Sequence, residues 1–136
     1  MAVYGVGIDL VRVQRLAVLM ERWGERFLQR VFTEAERETC SVKRVPQGCF
    51  AMRFAAKEAF VKALGLGMRS PVQWRDIEVG NDALGKPFIS LSARAADYCA
   101  RSGVTSWHLS LTDEGDYAAA VVVLEGEAGK EVPKVN

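Results

Sequence analysis

Two carboxylates stand where a carboxylate is costly. Asp9 lies in Gly7-Ile8-Asp9-Leu10-Val11, an otherwise apolar run, and Glu58 lies among alanines and phenylalanines between Arg53 and Leu64. An ionised carboxylate in apolar surroundings needs a cationic partner or a bound cation. Two such groups, brought together from separate elements, suit a hard divalent ion. Magnesium takes one or two protein carboxylates and fills its remaining positions with phosphate oxygens and water. A plainer reading also fits: Asp9 caps the helix that follows it, and Glu58 pairs with Lys62 one turn further on.

The segment around Glu58 also carries Arg53, Lys57 and Lys62. Arg53 and Lys57 share one helical face, and Glu58 and Lys62 another. Cations beside a metal carboxylate are suited to a phosphate ester, although a solvated charged face has the same spacing. Gly85-Lys86-Pro87 is a stiff turn with a cation at its tip, fit either to touch a phosphate or simply to close a hairpin. Neither GxxxxGK[ST] nor GxGxxG occurs, so the nucleotide folds built on those loops are not indicated. The one histidine, His108, has no GxSxG elbow to serve, which leaves triad chemistry unsupported. Cys40, Cys49 and Cys99 have no metal-ligand spacing and are expected to be reduced thiols, as in a cytoplasmic protein.

These groups need a scaffold, and the pattern of the chain describes one. Residues 3–11 read as a strand and are followed by a helix beginning near Arg12. Gly24 is a stop within this arginine-rich stretch, which carries Arg12, Arg15, Arg22, Arg26 and Arg30. Arginines interleaved with Met20 and Phe27 favour an acidic protein partner, while a soluble helix face remains an equal reading. Thr33-Glu34-Ala35-Glu36 has capping-box form and opens a short helix. A loop is expected over 42–48 and a helix over 49–64, with Phe50, Phe54, Val61 and Leu64 in one stripe. Strands are expected over 72–79 and 88–91, a helix capped by Ser92 to Arg101, and strands over 106–112 and 117–125, the last buried on both faces. The fold class is α+β: a small single domain over 1–126 with an antiparallel sheet packed against a long central helix, and a polar tail over 127–136.

At 136 residues and a net charge of +1, the chain suits one core and offers no global attraction for nucleic acid. No run approaches the ~20 apolar residues that span a bilayer. No membrane or nucleic-acid partner is expected.

Several of these segments together resemble one family, the bacterial holo-acyl-carrier-protein synthases, which are 4′-phosphopantetheinyl transferases. Gly5-Val6-Gly7-Ile8-Asp9-Leu10-Val11 is similar to their opening GIG(I/L)D(I/L) motif. The run from Arg53 to Gly65 resembles their RFAAKEAFxKAxG signature nearly throughout. Gly85-Lys86-Pro87 matches a GKP turn. The segment from His108 to Asp113, followed by Tyr117-Ala118-Ala119-Ala120, resembles a closing HxSxT(H/D)…YAxA segment. The resemblance implies a 4′-phosphopantetheinyl transferase-like fold and Mg2+ held by Asp9 and Glu58. It implies Lys62 as a further catalytic group, and coenzyme A held by Arg53, Lys57, Lys62, Gly85, Lys86, Pro87 and Thr112. It implies an apo acyl carrier protein received by Arg15, Arg22, Arg26 and Arg30, and a homotrimer with active sites between subunits. Asp113 stands where many members have histidine. A non-catalytic module binding a carrier protein or a nucleotide, or a magnesium-dependent phosphatase, is the alternative reading.

Overall fold

The computed structural model describes residues 2–69 and 71–127; the tail expected over 127–136 lies outside them from 128 onward. Eleven elements follow one another: β1 (Ala2–Arg12), α1 (Val13–Trp23), α2 (Glu25–Val31), α3 (Glu34–Ser41), α4 (Pro46–Leu64), a 3-10 turn (Trp74–Asp76), β2 (Ile77–Asn81), β3 (Pro87–Leu91), α5 (Ala93–Ser102), β4 (Val104–Glu114) and β5 (Tyr117–Gly126). The α+β architecture with a long central helix is as the residue pattern indicates. The strands form two antiparallel sheets, a three-stranded one in the order β1-β5-β4 and the β2-β3 hairpin.

Helix α4 lies across the larger sheet and is buried over most of its length, with Phe50, Ala55, Ala56, Ala59 and Phe60 at its centre. Such close packing needs a strand without side chains at the crossing. A Cβ on Gly7 would sit 1.8 Å from the Ala59 carbonyl oxygen, and one on Gly5 2.0 Å from that of Ala63. The two glycines therefore set the distance between β1 and α4. Strand periodicity then points Asp9, two residues beyond Gly7, to the same side.

Four local features depart from the pattern reading. Gly24 ends α1 as expected, with φ +57°, and the departure is a second helix, α2, that carries Arg26 and Arg30 beyond it. Helix α4 begins at Pro46 instead of Cys49, since proline is well tolerated in a first helical turn. The strand expected over 72–79 is confined to its end. Gln73 and Asp76 cap each other around Trp74–Asp76, and ladder pairing with β3 runs only from Ile77 to Asn81. Strand β5 is central but not buried on both faces. Ala118, Ala120, Val122 and Leu124 are buried beneath α4, while Ala119, Val121 and Val123 are half-buried on the opposite face. Beside them on β1, Val6, Ile8 and Leu10 are 59%, 67% and 66% exposed.

The cysteines also differ from expectation. Cys40 at the end of α3 and Cys49 in the first turns of α4 form a disulfide, and only Cys99 is a free thiol. Burial pushes the Cys99 thiol up to about 11, as suits a buried filler residue.

Candidate active site

The crossing of β1 and α4 brings Asp9, Glu58 and Lys62 together. The Lys62 ammonium donates to Asp9 Oδ1 at 3.0 Å and to the Ile8 carbonyl at 3.1 Å. The lysine side chain is 52% exposed and the aspartate 14%, so the pair sits at the edge of the protein with its cation facing outward. Glu58 is half-buried on the same helix, one turn before Lys62. Burial and the negative charge of Asp9 raise its carboxyl pKa, while Lys62 and Arg15 pull it back. Asp9 stands close enough to Glu58 to raise its proton affinity, with Lys62 and Arg15 beside the two carboxylates. Among the described residues no group of three or more acidic, histidine or cysteine side chains gathers. A cation on Asp9 and Glu58 would thus need its other ligands from substrate and water, which is how magnesium is commonly held.

A second cluster lies further toward the start of α4. Arg53 is almost wholly buried; its Nη1 donates to Cys49 Sγ and its Nη2 to Asn81 Oδ1, both at 3.2 Å, while Nε has no protein partner. Burial lowers its pKa and Glu36 opposes that. Asn81 in turn donates from Nδ2 to the Gly85 carbonyl at 3.0 Å. Asp82 Oδ1 accepts from the Leu84 and Lys86 amides at 2.9 Å each, closing the turn. A cavity of about 720 Å³ opens here between Arg53, Asn81, Gly85, Thr39, Lys43 and the turn at Asp113 and Gly115. Lys86 and Pro87 lie just outside its lining. Asn81 is a residue that sequence reasoning passed over. It stands four residues before Gly85 at the end of β2, and its bond to Arg53 is a tertiary contact.

Lys57 does not belong to the site. Its ammonium is fully buried and donates to Glu36 Oε1 at 2.8 Å, to the Trp74 carbonyl at 2.9 Å and to the Ile77 carbonyl. All three donors of the lysine are taken by protein groups, so none is left for a ligand. Thr112 is also set apart. It pairs with Ala119 on the face of the sheet away from α4, with Ala119 standing between it and Leu10, and does not share the Arg53 cavity.

A groove of about 460 Å³ runs along α1 and α2, lined by Arg15, Arg26 and Arg30 with Leu19, Trp23 and Phe27. Arg22 is exposed outside it. Arg15 lies over the Phe54 ring at 5.2 Å and also acts on Glu58, so it joins the groove to the carboxylate cluster.

Comparison with known proteins shows the family and the fold. The chain is 46% identical to a holo-[acyl-carrier-protein] synthase of Trichlorobacter lovleyi over 90% of its length and 98% of that protein. It is 49% identical to one of Paramagnetospirillum magneticum over 92% and 98%. The crystal structure of the Neisseria meningitidis holo-[acyl-carrier-protein] synthase superposes with a TM-score of 0.86 at 38% identity, covering 90% of this chain and 98% of that one. The Helicobacter pylori enzyme, solved in complex with coenzyme A, superposes with a TM-score of 0.79 at 31% identity over 88% and 99%. The sequence profile of the 4′-phosphopantetheinyl transferase superfamily matches residues 5–122. The chain belongs to the 4′-phosphopantetheinyl transferase superfamily, as an enzyme of the holo-[acyl-carrier-protein] synthase family.

Proposed function

We propose that the protein transfers the 4′-phosphopantetheine arm of coenzyme A to a serine of an apo acyl carrier protein in a magnesium-dependent reaction that releases adenosine 3′,5′-bisphosphate. The observation that carries the reading is the meeting of Asp9, Glu58 and Lys62 at the β1–α4 crossing. Asp9 and Glu58 hold the Mg2+, which supplies charge neutralisation on the diphosphate when bound.

The residues of the chain do the rest. The Arg53 guanidinium and the Asn81–Lys86 turn receive the nucleotide end of coenzyme A in the cavity between α3 and α4. The serine hydroxyl attacks the β-phosphorus, and the bond from that phosphorus to the bridging oxygen of the α-phosphate breaks. Lys62, half-exposed beside Asp9, stabilises the leaving phosphate and can give it a proton. Glu58, half-buried one turn before Lys62, takes the serine proton through a water in this reading. The arginine groove on α1 and α2 receives the acidic carrier, with Arg15 nearest the reacting groups.

The functional unit in this reading is a homotrimer in the cytoplasm, where coenzyme A is found. Val6, Ile8 and Leu10 form an exposed apolar sheet face larger than scattered surface residues account for. Thr112 shares that face, so a second copy packed on it can bring Thr112 to its neighbour's substrate.

Incubating protein, Mg2+, coenzyme A and apo carrier protein should give a carrier heavier by roughly 340 Da, one phosphopantetheine. Asp9→Ala and Glu58→Ala should abolish the gain while melting like the parent. Coenzyme A binding without any mass gain would make the protein a binding module, and release of free phosphate a phosphatase.

A further inference from the structure

Helix α3 is fastened at both ends by different means. Its first turn is held by the Thr33–Glu36 capping box and by the buried Glu36–Lys57 ion pair. Its last turn is joined to the rest of the protein through the Cys40–Cys49 disulfide. The connection that follows is no substitute, because Val42, Lys43 and Arg44 are exposed. Thr39 and Lys43, which form the α3 side of the nucleotide cavity, flank Cys40 and depend on that link for their position. On the other side, Cys49 is itself a lining residue, and its sulfur accepts the hydrogen bond from Arg53 Nη1 at 3.2 Å. The disulfide therefore ties the α3 and α4 sides of the cavity together and carries one of the contacts that orient Arg53.

We propose that Cys40–Cys49 is a reversible thiol–disulfide site that tunes coenzyme A binding, tight when oxidised and weaker when reduced. The inference rests on the transferase reading for the identity of the ligand and for a cytoplasmic setting. Disulfides in that compartment are usually transient and redox-sensing rather than structural. Cys49 lines the cavity and is 9% exposed while Cys40 is fully buried, so Cys49 is the more accessible of the two and the sulfur at which exchange begins in this proposal. A dithiol reductant attacks there, the S–S bond breaks, and the Cys40 sulfur leaves and takes a proton. The second thiol of the reductant then attacks the mixed disulfide, Cys49 leaves as a thiol, and the reductant ends as its own disulfide. Two electrons and two protons pass to the protein. Oxidation is the reverse exchange with a disulfide of the glutathione class.

Reduction frees the last turn of α3, but the Glu36 anchor keeps its first turn in place. The fold survives while one wall of the cavity loses its preorganisation, so the expected loss falls on KM for coenzyme A, about three- to tenfold, with kcat within about twofold.

The test uses the full chain equilibrated with oxidised or reduced dithiothreitol, with thiol alkylation and mass spectrometry to count free cysteines. One alkylated thiol, Cys99, is expected in the oxidised state and three in the reduced state under denaturing alkylation. The KM rise on reduction should be absent from Cys40→Ser and Cys49→Ser, each resembling the reduced parent, and should persist in Cys99→Ser. Three free thiols under oxidising conditions, an equal KM in the two states, or a redox response retained in both serine variants would each overturn the proposal. If no transfer occurs in either state, the transferase reading fails by itself. Calorimetric Kd values for coenzyme A then decide the switch: a weaker Kd on reduction supports it, and equal values overturn it.

Discussion

Lys57 and Glu36 form an ion pair with no solvent exposure on either side chain, Nζ to Oε1 at 2.8 Å. The lysine's other donors go to the Trp74 and Ile77 carbonyls, and Glu36 Oε2 accepts the Val79 amide at 2.8 Å. One pair thus ties α3, α4, the 3-10 turn and β2 together, and it places the hairpin that carries Asn81 and Gly85 over Arg53. Glu36→Ala leaves a buried ammonium uncompensated and should cost about 3–5 kcal/mol, read from urea unfolding. Lys57→Met alone should also be costly, and the double variant should lose less than the two single losses added together. A single-variant loss under about 1 kcal/mol would show that the pair is not what binds these elements.

Gly7→Ala tests the crossing that makes the site. The added methyl would meet the Ala59 carbonyl at 1.8 Å and the Ala63 amide nitrogen at 2.8 Å, both backbone atoms on a packed helix. Strand β1 must move away from α4, carrying Asp9 from Glu58. A loss of about 3 kcal/mol or more is expected, with transfer activity falling further than the unfolded fraction explains. Parent-like melting and turnover would mean the two elements do not need this contact.

Glu58 should titrate above its ordinary value in metal-free protein, because burial and the neighbouring Asp9 both disfavour its charge. The folded state then binds this proton more tightly than the unfolded chain does. Stability attributable to Glu58 therefore falls as pH rises from the ordinary glutamate value through the raised one, and the fall is complete above it. Nuclear magnetic resonance titration of the Glu58 carboxyl reads this directly. Asp9→Asn removes a raising charge and should move the midpoint down, and saturating Mg2+ should move it down further. A midpoint unchanged in Asp9→Asn would separate the two carboxylates.

Asp76 titrates in the opposite sense. Burial acts to raise its pKa, but the hydrogen bonds from Arg94, Ser92 and the Gln73 amide outweigh it and hold the carboxyl below its ordinary value. Its contribution is present above the unfolded pKa and is lost as pH falls through the folded one. Asp76→Asn should cost about 1–3 kcal/mol at neutral pH and nearly nothing at strongly acid pH, which denaturant midpoints across pH would reveal.

The exposed face of Val6, Ile8 and Leu10 predicts assembly. Light scattering should give three times the 15.0 kDa of the chain. Ile8→Glu should yield a folded monomer with little transfer activity, since a charge on an apolar interface opposes association. A fully active monomeric variant would confine the site to one chain.

The order of the five strands, the α+β class and the standing of Asp9, Glu58, Lys62 and Arg53 as candidates were legible from the sequence alone. Periodicity and caps are local, so Thr33, Ser92 and Gly24 mark their boundaries without help from distant residues. The motif from Arg53 to Gly65 likewise carries the family in consecutive positions. What the linear chain does not hold is which face a side chain ends on and which distant group meets it. Lys57 and Lys62 look alike on one helix, yet one is spent on Glu36 and two carbonyls and the other reaches out beside Asp9. The joining of Cys40 to Cys49 and of Asn81 to Arg53 is likewise a tertiary result. Burial and long-range pairing depend on how α4 packs against β1 and on the hairpin held by Glu36, and these exist only once the chain has folded.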